Sequence, residues 1–437
     1  MPPVRQKTLV DVALESIGYD GSKISPGQLD RQEWHRELSS PLTKQKLFRE
    51  ILENNPDVTR GFRLPVDLLT AGKWRIRPPN GMGRDKRALE VAAFIQGVID
   101  DCATPLYDMI DDLLSALPWG YAVSEIVWKR RNGRNNAQPS AYNDGLWGIH
   151  RIELRPQYTA YGWTKDSETD EILDFIQRDP QTGALAYIPL TKALHLTLGA
   201  GTTGPEGKAG LRNVFIPCRN KRRLTEIIHI GEEHTKAGIW DMQAPAEMLK
   251  RSNAGDIEAR ELVEGMIQNM AQISVGERAC IIRPHERNPD GTYSGWGFDL
   301  KATTGSSRGD AIEMIRMHRE DIAIGIGITF LLLGMNGSGG SKGQSEDQTS
   351  LAATIMQGLG DRVSDVFTRQ LFPRIVAMNG MDPALCPTMT YTHPRKVDLT
   401  GLAQLISVAQ TAGIPLVDAN DADELRERAG LSPRTAE

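Results

Sequence analysis

Two long helical segments with a small insert between them constrain the fold of this chain more than any other feature. Gly210 to about Ala237 places Leu211, Phe215, Leu224, Ile227 and Ile228 at helical spacing. Gly309 to Gly325 repeats the pattern, with apolar positions 311, 312, 315 and 322 opposed by Glu313, Arg316 and Glu320. Pro217 lacks an N–H and should kink the first segment or mark its true start. The insert reads as an apolar piece at Gly238 to Met242, a helix from Asp256 to Met270, a strand at Ala279 to Ile282 and a turn at Asn288-Pro289-Asp290-Gly291. Helices of this kind carry apolar stripes that a single subunit hides poorly, which points to assembly.

Upstream, residues 1–40 are polar and read as an arm. Helices follow at Leu42 to Asn54 and after Asn55-Pro56, the second breaking at Gly72. Lys73 to Arg77 alternates like a strand, Asp85 to Asp101 reads as a helix, and Thr104-Pro105 supplies a cap and a first-turn proline for another running to Leu117. Tyr121 to Trp128 is strand-like, and 145–198 holds several short strands with turns such as Asp179 to Gly183. Downstream, a glycine-rich loop spans Gly334 to Gly343. Ser345-x-x-Gln348 then reads as a capping box opening a helix to about Met378, with Leu351, Ile355, Leu359, Val363, Val366 and Leu371 on its apolar face. Asn379-Gly380 suits a left-handed helix end, and short helices are expected at 399–412 and 418–429 around Gly413-Ile414-Pro415. The fold class is α+β, in two or three units at a rough prior of about 150 residues each.

The search for chemistry returns little. The glycine loop follows an apolar run and precedes a helix, as a phosphate-cradling loop does, and Gly334 and Gly339 have the required spacing. Gly340 then stands where lysine is needed, and Lys342 is followed by Gly343 rather than Ser or Thr, so a flexible loop is the better reading. His229 and His234 flank Glu232 and Glu233 at a spacing of five, whereas zinc on a helix needs histidines four apart. Asp111-Asp112, Asp421 and Asp423 sit where acidic residues are common at helix starts and solvated faces. Lys129-Arg130-Arg131 with Arg134, and Lys221-Arg222-Arg223, read as solvated basic runs, with phosphate contact the minority alternative. Cys102, Cys218, Cys280 and Cys386 form no Cys-x-x-Cys pair, which fits a reducing compartment. The start of the chain lacks a signal-peptide core, and the longest apolar run, Ile322 to Leu333, is too short for a bilayer, so a cytoplasmic, soluble chain is expected. The formal charge of −5 gives no global field for nucleic acid, so any DNA contact is local or enforced by assembly. No catalytic residue, metal ligand or cofactor is expected.

The order of elements, together with particular runs, resembles the portal proteins of tailed bacteriophages, Mu-like portals included. Glu53 to Val58 (ENNPDV) and Ala71 to Pro78 (AGKWRIRP) are similar to the lead into the family's wing. Leu117 to Trp128 (LPWGYAVSEIVW) is the most specific match. Gly210-Leu211-Arg212 with Pro217 is similar to the start of the family's stem, and Gln370 to Gly380 (QLFPRIVAMNG) to its late wing helix. The resemblance covers roughly 45–430 and implies an α/β wing, a long-helix stem, a small αβ clip and a helical crown. The corresponding spans are an arm (1–44), wing (45–209), stem helix (210–237), clip (238–302), stem helix (303–326), tunnel loop (327–347), wing helix (348–380) and crown (381–437). At about 1.5 Å per residue the stem helices would run about 30–40 Å, enough to frame a channel wall. It further implies a non-enzymatic, dodecameric ring at one capsid vertex, assembled in the host cytoplasm and passing double-stranded DNA. Its implied partners are terminase, the head–tail adaptor and the major capsid protein, with no membrane. Tunnel-loop candidates facing DNA are Asn336, Gly337, Ser338, Gly339, Gly340, Ser341, Lys342 and Gln344. The alternatives are a P-loop-like nucleotide hydrolase and another phage-head structural or scaffolding protein.

Overall fold

The computed structural model describes residues 33–166, 171–199, 204–237, 239–273, 280–285, 297–301, 307–328 and 342–392. The expected turn at 288–291, the glycine segment from Gly334 to Ser341 and the two tail helices lie outside these residues.

Two helices open the fold, α1 (Pro41–Asn54) and α2 (Pro56–Thr70), each with proline in its first turn, where the missing N–H costs nothing. Asn55 caps α2, its side chain accepting from the Asp57 N–H at 3.2 Å. Ahead of α1, which begins at Pro41, Leu38 is already buried in the core. Then come β1 (Lys73–Arg77), α3 (Lys86–Asp100), α4 (Leu106–Leu114) and α5 (Ala116–Trp119). Asp85 caps α3 through the Arg87 and Ala88 N–H groups. Thr104 does not cap α4 as expected. Pro105 occupies that position, and the Thr104 hydroxyl instead bonds the backbone of Ile152, donating to its carbonyl at 3.0 Å and accepting its N–H at 3.2 Å.

Strands β2 (Tyr121–Asn132), β3 (Asn143–Leu154) and β7 (Ala193–Thr197) form an antiparallel sheet with β2 in the centre. A second antiparallel sheet holds β4 (Ala160–Lys165), β5 (Ile172–Arg178) and β6 (Leu185–Pro189). Tyr121, Trp163, Phe175 and Ile188 fill the core between the two sheets. The long helix α6 (Gly210–Ala237) follows, then an insert of β8 (Ile239–Pro245), α7 (Ala246–Asn253), α8 (Ile257–Ile273), β9 (Cys280–His285) and β10 (Gly297–Lys301). In the insert β8 is central, parallel to β9 and antiparallel to β10. Pro217 leaves α6 as one helix; neither a break nor a later start occurs there.

The chain returns along α9 (Ser307–Ile326) and, after the glycine segment, along α10 (Lys342–Val366), a single π-helical stretch at Phe367–Leu371 and α11 (Phe372–Met378). Helix α10 begins before the expected capping box, so Ser345 lies inside it, as do Lys342 and Gln344. Strand β11 (Thr388–Thr392), not foreseen from the sequence, pairs antiparallel with β1. The largest core lies where α3, α4, α10 and α11 meet the sheet β3-β2-β7. Ile110, Leu113, Ile126, Ile152, Leu194, Phe367, Phe372 and Ile375 are all essentially inaccessible there.

Candidate channel-forming helices

Helices α6 and α9 pack against each other and run antiparallel. Val214 near the start of α6 meets Gly325 near the end of α9, and a Cβ on Gly325 would come within 2.7 Å of the Val214 side chain. Only glycine permits that approach. The base of the pair is fixed by a second core, in which Leu211, Val214, Phe215 and Cys218 of α6 and Ile322 of α9 join Leu38, Phe48, Val58, Phe62 and Trp119.

Charge reinforces the same anchor. Asp57, in the first turn of α2, accepts from Lys221 of α6 at 2.5 Å and faces Arg319 of α9 at 3.2 Å, so one carboxylate holds both helices. Burial alone would raise the Asp57 carboxyl, but Lys221 and Arg319 outweigh it and hold it below the usual range. Arg212 donates to both oxygens of Glu33 at 2.8 Å, Arg219 pairs with Glu37 at 3.0 Å, and Arg222 reaches Glu50 and Glu226. Within the second basic run Lys221 is therefore engaged and partly buried, while Arg222, though paired, stays 68% exposed on the solvated face.

The first basic run is divided, with Arg130 and Arg134 exposed and the other two cations internal. Lys129 and Arg131 are buried on β2. The Lys129 ammonium lies 2.9 Å from Asp101 Oδ2 and donates to the Asp101 and Pro139 carbonyls at 2.6 and 2.9 Å. Asp101 also accepts from Ser140 and from the Ala141 N–H; burial pushes its carboxyl up, and these donors with Lys129 bring it below the ordinary range. Arg131 stacks 3.8 Å from the Tyr142 ring centre, and Arg130 4.0 Å from that of Trp147. Alternation along a strand, rather than a Gly/Asn loop, sends Lys129 and Arg131 inward.

Away from the base, α6 and α9 are open. Ile227 and Ile230 are each 53% exposed, Ile312 52% and Met317 49%. Nothing in one subunit covers these side chains among the described residues.

The candidate loop residues divide. Asn336, Gly337, Ser338, Gly339, Gly340 and Ser341 lie outside the described residues, while Lys342 and Gln344 belong to the first turn of α10. Lysine and glutamine are good helix formers, and they extend α10 back past Gly343. His229 is on exposed α6 surface. Among the described residues no group of three or more His, Cys, Asp or Glu could hold a metal. None of their helices is long and apolar enough to cross a membrane. An open groove of about 770 Å³ is lined by Asp108, Asp111, Asp112, Glu153 and Arg155 among others, an acidic setting that repels phosphate. Burial lifts the Asp112 carboxyl to about 6; the Leu154 N–H opposes this, and Asp111 and Asp108 add to it. Asp111 is held by Arg63 at 2.6 Å.

A family model described as "Portal protein of Mu bacteriophage" matches residues 45–431. No curated protein matches. Among solved structures the chain is similar to one from the neck of a native gene transfer agent particle computed with C12 symmetry, at 11% identity and TM-score 0.47, covering 95% of this chain and 97% of that one. It is similar to one from the virion of a native gene transfer agent particle at 12% identity and TM-score 0.45, covering 89% and 93%. A third is an HK97 family phage portal protein from Corynebacterium diphtheriae, at 11% identity and TM-score 0.37, covering 79% and 94%.

Proposed function

Because the chain belongs to the family of Mu-type bacteriophage portal proteins, matched over residues 45–431, we propose that it forms a closed ring at one capsid vertex through which double-stranded DNA is packaged, retained and ejected. The role is structural and not enzymatic. The observation that carries the reading beyond family membership is the open α6–α9 pair, rooted in a core at its base and apolar along its length. Such a pair gains its cover from copies of itself.

In this reading the wing is 45–209 with 348–380, the stem 210–237 and 303–326, the clip 238–302, the tunnel loop 327–347 and the crown 381–437, with 1–44 as an arm. About twelve subunits close the ring, each using two different faces, as cyclic closure requires. The clip docks terminase during packaging and the head–tail adaptor afterwards, and the outer wing meets the major capsid protein. Assembly takes place in the host cytoplasm and the product is part of the virion. Asn336 to Ser341, with Lys342 and Gln344 behind them, face the DNA. Small glycine and polar residues yield to a passing duplex without the dense cationic contacts that would hold its phosphates. The basic side chains of α6 that are tied to Glu33, Glu37, Glu50 and Asp57 fit the same requirement.

Electron microscopy of the purified protein tests the ring. Annular particles with a central hole support it, and a compact particle without one refutes it. Removing Asn336 to Ser341 tests the loop. Rings should still form while DNA packaging or retention fails; heads that fill and keep full-length genomes would assign the loop to an outer connector.

A further inference from the structure

Resting on the ring reading above, we propose that neighbouring subunits meet along their stems through two unlike flanks of the α6–α9 pair, with Arg223 of one subunit against Glu320 of the next and Ile227 against Met317. Arg212, Ile216, Arg219, Arg223, Ile227 and Ile230 recur every three or four residues and form one stripe along α6. At about 100° per residue this stripe lies on the side away from Val214, and therefore away from α9. On α9, Glu313, Met317, Glu320 and Ile324 form a stripe of the same spacing, centred about 110° round the helix from Gly325 and so on a lateral face, beside the one turned to α6. The pair thus has a basic and apolar flank on α6 and a separate acidic and apolar flank on α9. Two unlike, complementary flanks are what a head-to-tail cyclic contact uses.

What is already occupied narrows the contact. Arg212 and Arg219 are taken by Glu33 and Glu37 of the same subunit. Arg223 has no ion-pair partner on its own subunit among the described residues, and Ile227 and Ile230 stand half exposed beyond it. On α9, Glu320 is exposed likewise, while Glu313 leans on Arg316 at a loose 3.7 Å. Arg316 sits about 60° round the helix from Glu313, toward the side of Arg319 and α2, off the centre of the acidic flank.

The register follows from the fold. Val214 and Gly325 share a level, so in an antiparallel pair Arg223 stands level with Arg316, and Ile227 with Ile312. Rotation about a ring axis parallel to the stem leaves these levels unchanged between subunits. Side chains lean toward the start of their own helix, which tips Arg223 toward the wing and Glu320 away from it, closing the one-turn offset between them. Ile227 and Met317 start five residues, about 7.5 Å, apart in level, and the same lean brings their side chains toward each other.

Charge reversal tests the contact in the full chain. Arg223→Glu and Glu320→Arg, each alone, should raise the concentration for half-assembly by about tenfold, since each places like charges at every interface. The double variant should return it to within about twofold of the parent, while Arg223→Glu with the distant Glu90→Arg on α3 should not. Far-ultraviolet circular dichroism of each variant should match the parent. Independently, the pair Ile227→Cys with Met317→Cys should be joined into an intersubunit ladder by a bis-maleimide long enough to span their offset of about 7.5 Å, and neither single variant should give one. Parent rings with unchanged assembly of Arg223→Glu and no ladder would overturn this contact and leave the ring intact, and would hand the flank to residues 1–32 or another protein. A parent that never forms rings would instead remove the reading on which the contact rests.

Discussion

His195 sits on β7 with its Nε2 2.9 Å from the Pro205 carbonyl and its ring 5.0 Å from that of Trp163, and burial there pushes its pKa down to about 4. The folded value lies below the ordinary 6.5, so between about 6.5 and about 4 the unfolded chain holds a proton that the fold refuses. Stability should therefore fall as pH drops through that window, with the loss complete below about 4. His195→Gln should flatten that part of the profile; urea titrations at several pH values read it, and an unchanged slope would remove His195 as its source. Lys129 and Asp101 make the second residue-scale case. Their side chains are only 2% and 7% exposed, and removing one partner strands a buried charge. Lys129→Ala should cost about 3 kcal/mol in denaturant unfolding, far above a surface substitution. At this scale the sequence was least legible. Lys129-Arg130-Arg131 looks like a solvated run because the extra strand length that turns it inward depends on pairing with β3, which no local pattern announces.

Element by element, most helices were legible because caps and periodicity are local. Gly380 closes α11 in a left-handed conformation at φ 65°, with the Met381 N–H returning to the Val376 carbonyl at 3.0 Å and the Gly380 N–H to Ala377 at 3.1 Å. The long helix before it was harder to read. The π-helical stretch at Phe367–Leu371 inserts a residue into the ladder, so one apolar face cannot be followed through it. Ile355, placed on that face from the sequence, is 46% exposed, while Met356 is buried. The same stretch presents Gln370, which accepts the His195 N–H and donates to the His195 carbonyl, both at 2.8 Å. Asn379 does the same to Trp147 at 2.7 and 3.1 Å. Two carboxamides thus close both edges of the β3-β2-β7 sheet, a role invisible in sequence because the partners are over 170 residues away. Gln370→Leu should leave the His195 backbone groups unpaired and cost about 2 kcal/mol, with faster amide exchange along β7. Unaltered exchange there would show that the edge needs no such partner.

Across the whole molecule, the α6–α9 pair is rooted against α1, α2 and α5 by apolar packing and by Asp57. The Asp57 carboxyl is held low, so its contribution is present above its unfolded pKa and is lost as pH falls through the lower folded value. Asp57→Asn should loosen the roots of both helices at neutral pH, seen as faster amide exchange around Lys221 and Arg319 together; loss at one helix alone would deny the shared anchor. The two long helices and the small insert between them were readable from sequence, since length and periodicity survive without tertiary contacts. The antiparallel register was not, because it hangs on the close meeting of Val214 and Gly325. A portal subunit built this way should not persist alone in solution. Native mass measurement of the purified full chain tests that most directly: the account predicts a single closed species of about twelve subunits. A stable monomer at every concentration and salt tested would contradict it.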